Sequence, residues 1–399
     1  MEHTPVPKRI LFVINSLAGG GAERVMATLL RHSGDRRDRY AMSLALLDEE
    51  ASAYAPPEWL PVHRLDSGGG LVRSARRLRA LVGETRPDLV LSFLTRSNVA
   101  ACLATAGRDV PFAISERVNT SAHLPRNISG RVSRTLVRRA YPRARRVIAV
   151  SEGVAEDLSA NFGVARARVR VLANPVDGDL IRARAQEPDS LPVDGPYVVA
   201  MGRLVPNKNF ALLIDAFADA AVPGKLVILG EGPERDALER RIAARNLGGR
   251  VLLPGFLDNP FPLIAGADCY VLPSNAEGFP NGLVEAMALG LPVISTDCPS
   301  GPSEILAERP RGGLTGLDCA AHGLLVPCDD HAALAEGLRR YQDPDFRQRY
   351  AAAARARADA FSVAASVGRY WEVIEEALAD APLAAPRTNG PAQWLRASR

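Results

Sequence analysis

Two glutamates with seven residues between them, Glu277 and Glu285, bracket the run Glu-Gly-Phe-Pro-Asn-Gly-Leu-Val-Glu. A carboxylate beside a helix start accepts hydrogen bonds from ligand hydroxyls. The free backbone N–H groups of the first helical turn meet phosphate or sugar oxygens. Alone, such a pair reads as a solvated loop residue and a partner of the helix dipole. Gly278, Pro280 and Gly282 shift that balance, because they fix an unusual turn and permit close backbone approach. Upstream, Gly-Arg-Leu-Val-Pro-Asn-Lys-Asn carries Arg203 and Lys208 five positions apart on a glycine turn before a helix. Paired cations there suit a diphosphate leaving group, neutralised without a metal.

The elements that must hold these side chains are strands alternating with helices. Tyr270–Leu272 reads as a buried strand and 273–280 as a loop. Asn281 is expected to cap a helix to about Leu289, and Pro292–Ser295 is the next strand. Ligands on such sheets sit beyond the carboxyl ends of the strands, where Glu277 and Glu285 would lie. The same alternation begins with a strand over Arg9–Ile14, a loop over Asn15–Gly21 and an amphipathic helix over Ala22–Arg31. Glycines at that turn can aim a helix start at a phosphate, yet the third glycine of a dinucleotide fingerprint is missing, with Arg24 in its place. Further strands are expected at 40–47, 62–65, 88–93, 111–115, 147–150 and 169–172, and after a connection over Asp179–Pro196, at 197–201, 225–229 and 250–253. Late helices are expected at 334–340, 346–358 and 363–379.

With 399 residues, 47% of them hydrophobic, the chain can build two domains with their own cores. No apolar run reaches the ~18–20 residues of a membrane span. The first residues, Met-Glu-His-Thr-Pro-Val-Pro-Lys, do not read as a secretory leader, which predicts a cytosolic chain. Five cysteines, none in a Cys-x-x-Cys pair, argue against a disulfide framework. Cys319/His322 and Cys328/His331 have a spacing conceivable for zinc, but they flank a turn, a strand and a helix cap, and no metal is assigned.

The net charge of +4 hides an asymmetry: residues 1–180 hold 27 Lys and Arg against 18 Asp and Glu, a net +9, and the remainder is −5. In 71–82, Leu71, Ala75, Leu78 and Val82 line one helical face and Arg73, Arg76 and Arg77 another. Between 126 and 146, Arg131, Arg134 and Arg138 share a face opposite Val132, Leu136 and Ala140. Either face can simply be solvated. The alternative is a grip on anionic lipid headgroups or a lipid-linked pyrophosphate, each basic residue contributing ~1 kcal/mol near such a surface. Nucleic acid is disfavoured, with no binding motif and few aromatics nearby.

Glu-x7-Glu in its glycine-proline setting, Gly-Arg-Leu-x3-Lys-Asn, Val-Ser-Glu-Gly-Val and Asn-Pro-Val-Asp, in this order-consistent arrangement over about residues 8–378, resemble the retaining glycosyltransferases of family 4. The resemblance implies an α/β GT-B fold, two Rossmann-like parallel-sheet domains facing a central cleft. Residues 1–178, completed by a helix at about 363–380, would take the acceptor; 190–362 would bind the nucleotide-sugar donor; 381–399 would be a mobile tail. It implies transfer of a hexose or N-acetylhexosamine from a UDP-sugar, with retention and without metal, to a lipid-linked or cell-surface saccharide at the inner face of the cell membrane. Arg203 and Lys208 would hold the diphosphate, Glu285 the ribose and Glu277 the donor sugar's hydroxyls. Gly20 and Gly21 would close over the diphosphate, Phe256 would bracket the base, and backbone N–H groups of Asn281, Gly282 and Leu283 would add contacts. Many relatives carry a catalytic histidine where this chain has Ser115-Glu116-Arg117, so Glu116 becomes the catalytic candidate, with Arg117 beside it and His123 farther on. An epimerase or phosphorylase of the same fold, or a silent nucleotide-sugar-binding protein, are the rival classes; the latter would be expected to have lost one of the four charged residues.

Overall fold

The computed structural model describes residues 6–125, 127–188 and 191–379. The first half comprises β1 (Lys8–Ile14), α1 (Gly21–Arg31), β2 (Tyr40–Leu46), β3 (Val62–Arg64), α2 (Leu71–Thr85), β4 (Leu89–Phe93), α3 (Thr95–Thr105), β5 (Phe112–Glu116), α4 (Thr120–His123), α5 (Ile128–Ala140), β6 (Val147–Ala149), α6 (Glu152–Phe162), β7 (Val169–Val171) and α7 (Gly178–Arg184). Its strands form one parallel sheet in the order β3-β2-β1-β4-β5-β6-β7. The strands read as near-continuous apolar runs because helices cover both faces. Their period of two divides each run between two cores: Ile10, Phe12 and Ile14 pack on the α1 side, Leu11 and Val13 on the α2–α3 side.

The second half comprises β8 (Tyr197–Met201), α8 (Phe210–Ala220), β9 (Lys225–Leu229), α9 (Arg235–Ala244), β10 (Val251–Gly255), α10 (Phe261–Ala265), β11 (Cys269–Leu272), α11 (Asn281–Ala288), β12 (Val293–Thr296), α12 (Pro302–Leu306), β13 (Asp318–Ala320), β14 (Gly323–Val326), α13 (His331–Arg340) and α14 (Pro344–Ala358). This sheet runs β10-β9-β8-β11-β12-β14-β13, parallel except for β13, which pairs antiparallel with β14 at the edge. The last helix, α15 (Val363–Ala379), returns to the first domain. Trp371 and Tyr370 are buried there, Trp371 Nε1 donates to Ser33 Oγ at 2.8 Å, and Arg146 pairs with Glu376 at 2.8 Å. At about 1.5–3 kcal/mol per fully buried large apolar side chain, these aromatics anchor the crossover.

Several expectations need correction. Asn281 does not cap α11; it is the first helical residue, after Pro280, and no side chain caps the helix. Within the stretch read as a connection, 178–184 form α7, which packs on α10 and α11. After β12 the chain turns into α12 at Pro302. Val132, expected on the buried face of α5, is 55% exposed, whereas Val137 and Ala140 are buried. The tail expected over 381–399 lies outside the described residues.

Candidate active site

Both sheets reverse their strand order once, between β1 and β4 in the first and between β8 and β11 in the second. Such switch points leave a crevice beyond the strand ends, because neighbouring connections run to opposite faces. The two crevices face each other and enclose a cleft of about 1000 Å³. Asn15 and Gly19–Glu23 follow β1, Leu94–Arg96 follow β4, Gly202, Arg203 and Lys208 follow β8, and Glu277 and Phe279–Gly282 follow β11.

The structure therefore brings together Gly20, Gly21, Arg203, Lys208, Glu277, Asn281, Gly282 and Glu285. Lys208 Nζ lies 2.5 Å from Glu277 Oε1, so the loop cation and the loop carboxylate neutralise each other across the two crossovers. The Glu277 carbonyl accepts from Ser300 Oγ at 2.6 Å, and Asn207 Nδ2 donates to the Ala276 carbonyl at 2.7 Å, which fixes the loop. Arg203 is exposed in the cleft lining, and its side chain makes no hydrogen bond or ion pair among the described residues, leaving the guanidinium open to an anion. Among the described residues nothing accepts from the N–H groups of Asn281 and Gly282, so the start of α11 presents two donors to the cleft. Gly282 has to be glycine: a Cβ there would stand 2.6 Å from the Tyr270 hydroxyl. Glu285, one turn in, is 3% exposed and accepts from Arg24 of the first domain.

Three assigned residues are placed elsewhere. Glu116 is fully buried beneath the cleft floor, accepting from the Tyr141 hydroxyl, from Thr95 Oγ1 at 3.2 Å and from the Arg117 N–H at 3.0 Å. Burial raises its pKa, against the pull of those donors. It does not line the cleft; its neighbour Arg117 does. Phe256 is 72% exposed and outside the cleft lining. Leu283 is buried, and its N–H already donates to the Pro280 carbonyl at 3.1 Å.

Other residues enter the site that spacing alone did not assign. Arg117 Nη1 donates to the Tyr370 hydroxyl at 2.6 Å and to Ser115 Oγ at 3.2 Å, with its guanidinium 5.7 Å from the Phe93 ring centroid. Its Nε and Nη2 are buried without an acceptor. His123, at the end of α4, lines the cleft opposite Arg203; partial burial and that like charge lower its pKa. Asn174 Nδ2 donates to Asn281 Oδ1 at 2.6 Å. Arg96 pairs with Asp48 and reaches Asn15 at 3.3 Å, just after Leu94, whose φ of +76° is strained for a leucine. The one available sequence signal for Arg96, Arg117 and Asn174 was position, since each follows a strand's carboxyl end or opens a helix; His123, closing α4, had none.

The domains are also latched beside the cleft. Glu304 of the second domain accepts from the Glu152 and Gly153 N–H groups at 2.6 and 2.9 Å, serving the start of α6 in the first. On α2 and α5 of the first domain, Arg73, Arg76 and Arg131 are exposed. Arg77, Arg134 and Arg138 instead donate to backbone carbonyls, of Asp66 at 2.5 Å, Ser121 at 3.0 Å and Asn161 at 2.8 Å. His322 faces the Ala353 carbonyl and Glu308, and His331 faces Asp219, so the two Cys-x-x-His pairs look to separate partners. No helix among the described residues is long and apolar enough to cross a membrane.

Residues 19–180 match the family described as Glycosyltransferase Family 4, and residues 182–357 that described as Glycosyl transferases group 1. A Campylobacter jejuni protein, the N-acetylgalactosamine-N,N'-diacetylbacillosaminyl-diphospho-undecaprenol 4-alpha-N-acetylgalactosaminyltransferase, is 32% identical over 87% of this chain and 94% of its own. A second from that organism, the GalNAc-alpha-(1->4)-GalNAc-alpha-(1->3)-diNAcBac-PP-undecaprenol alpha-1,4-N-acetyl-D-galactosaminyltransferase, is 27% identical over 92% of this chain and 98% of its own. The crystal structure of Anabaena HepE in complex with UDP superposes with a TM-score of 0.73 at 23% identity, covering 92% of this chain and 99% of that one. Cleft, switch points and sequence kinship agree: this chain belongs to the GT-B glycosyltransferases of family 4.

Proposed function

We propose that the protein transfers a sugar, a hexose or N-acetylhexosamine, from a UDP-sugar to a lipid-linked or cell-surface saccharide at the cytoplasmic face of the membrane, with retention at the anomeric carbon. The observation that carries this reading is the meeting of Arg203, Lys208, Glu277, Glu285 and the uncapped start of α11 in one cleft. Arg203 and Lys208 take the diphosphate, so that the charge developing on the leaving group is met by fixed cations and no metal is needed. Glu277 turns from Lys208 to the donor sugar's hydroxyls, and Glu285 accepts from the ribose. The Asn281 and Gly282 N–H groups add donors at a helix N-terminus. The acceptor enters from the first domain, and departure and attack occur on one face of the sugar.

Support for the acceptor comes from the names of the two Campylobacter relatives, both acting on undecaprenol-linked saccharides. Support for the uracil nucleotide comes from the UDP and UDP-glucose complexes of the Anabaena neighbour. Arg73, Arg76 and Arg131, with the exposed Val72, Ile128 and Val132 beside them, suit an anionic membrane or lipid diphosphate. The test is calorimetric binding of UDP, ADP and GDP to the wild type and to Arg203→Ala/Lys208→Ala. UDP binding lost in the double variant is expected. A folded wild type that binds no nucleoside diphosphate would refute the donor site, and failure to float with phosphatidylglycerol vesicles would refute the membrane contact.

A further inference from the structure

Arg24 stands on the first turn of α1, in the acceptor domain, where a dinucleotide-binding loop would place a glycine. Its guanidinium crosses the cleft to Glu285 on α11 of the donor domain, and Arg24 Nη2 donates to Glu285 Oε1. The two partners differ in setting: the Arg24 side chain is 36% exposed and that of Glu285 only 4%. The arginine can thus swing into the cleft when displaced, whereas the carboxylate has nowhere to go. Among the described residues Arg24 is the ion-pair partner of this buried carboxylate, and Lys208 of the donor domain pairs with Glu277 instead. The neighbouring Tyr54 and Tyr270 hydroxyls supply no charge, and Tyr270 already donates to the Met201 carbonyl at 3.3 Å. The electrostatic hold of Glu285 also raises the Arg24 pKa.

We propose that Arg24 is a positioning residue that competes for Glu285 with the donor's ribose hydroxyls and must be displaced by them. This rests on the reading of Glu285 as the ribose carboxylate. Donor binding then breaks one cross-domain tie and leaves an unpaired guanidinium on the acceptor side of the cleft. There it faces whatever anion the acceptor brings, so the acceptor's site gains charge only after the donor is seated. Arg24 keeps Glu285 paired and oriented, at the expense of donor affinity.

The test is UDP binding by calorimetry to the wild type, Arg24→Ala, Arg24→Gln, Glu285→Gln and the Arg24→Ala/Glu285→Gln double variant. Arg24→Ala should bind UDP about tenfold more tightly than wild type, equivalent to about 1.4 kcal/mol. Arg24→Gln, which can still donate to Glu285 without charge, should fall between the two and serves if the alanine variant does not fold. The gain should vanish in the Glu285→Gln background, since the two side chains then no longer compete. Unchanged or weaker UDP binding in both Arg24 variants would overturn the proposal, as would a gain that persists without Glu285. Wild-type UDP affinity in Glu285→Gln would instead show that Glu285 is not the ribose partner, a separate failure of the underlying reading.

Discussion

Glu116 occupies the position at which a catalytic group was expected, and Glu116→Gln separates a reacting role from a supporting one. Three donors converge on this buried carboxylate: the Tyr141 hydroxyl, Thr95 Oγ1 and the Arg117 N–H. Glutamine keeps one acceptor oxygen and turns the other into a donor, so at least one buried polar group loses its partner, at about 1–3 kcal/mol. Removing a charge whose burial is unfavourable offsets part of that, leaving a net loss of about 1–2 kcal/mol at pH 7. Alanine abandons all three donors and should cost about 3–5 kcal/mol. The pH dependence has a definite sign. The folded-state pKa of Glu116 is raised, so the native protein holds its proton more tightly than the unfolded chain. Its contribution to stability is therefore largest near and below the unfolded carboxyl pKa and is lost as pH rises through the folded value. Urea unfolding from pH 5 to 8 should show this slope in the wild type and a flatter one in Glu116→Gln. In a sugar-transfer assay with whichever nucleotide-sugar supports wild-type turnover, Glu116→Gln should keep kcat within about tenfold, because the side chain does not reach the cleft. Loss of a general acid or base costs about 10²–10⁴-fold. A drop beyond a hundredfold, with unfolding free energy equal to wild type, would refute the supporting role.

The latch at Glu304 gives a second expectation. A Cβ at Gly153 would lie 2.7 Å from Ser300 Cβ, so Gly153→Ala should wedge the domains apart and lower kcat/KM about tenfold with little change in the circular dichroism spectrum. Glu304→Ala should lose about 1–2 kcal/mol in urea unfolding, because the start of α6 is left without its acceptor. His123 supplies a third. Its pKa is lowered in the free protein by partial burial and by Arg203, and a bound diphosphate would reverse the local charge and raise it. UDP binding should then take up a proton below about pH 6.5, detected by calorimetry in two buffers of different ionisation enthalpy. His123→Gln should abolish the uptake beyond that of UDP itself.

The sequence alone carried the strand–helix alternation, because buried parallel strands must be apolar runs and their helices must be amphipathic. β9 and α15 fall where periodicity places them. It also carried Arg203, Lys208, Glu277 and Glu285, since each sits on a turn or helix start whose glycines and prolines constrain the local backbone. What it left open is contact between segments far apart in the chain. Nothing local to Arg24 points to Glu285, 261 residues away, and nothing local to Glu304 points to the start of α6. Glu116 and Arg117 are adjacent, yet strand alternation sends the first beneath the cleft and the second into it. Neither the exposure of Val132 nor the capture of Arg134 and Arg138 by backbone carbonyls is legible locally, because an amphipathic helix shows its apolar stripe but not which neighbours meet its flanks. Local backbone chemistry is written in neighbouring residues; which charges neutralise which is decided only when two sheets bring their switch points face to face.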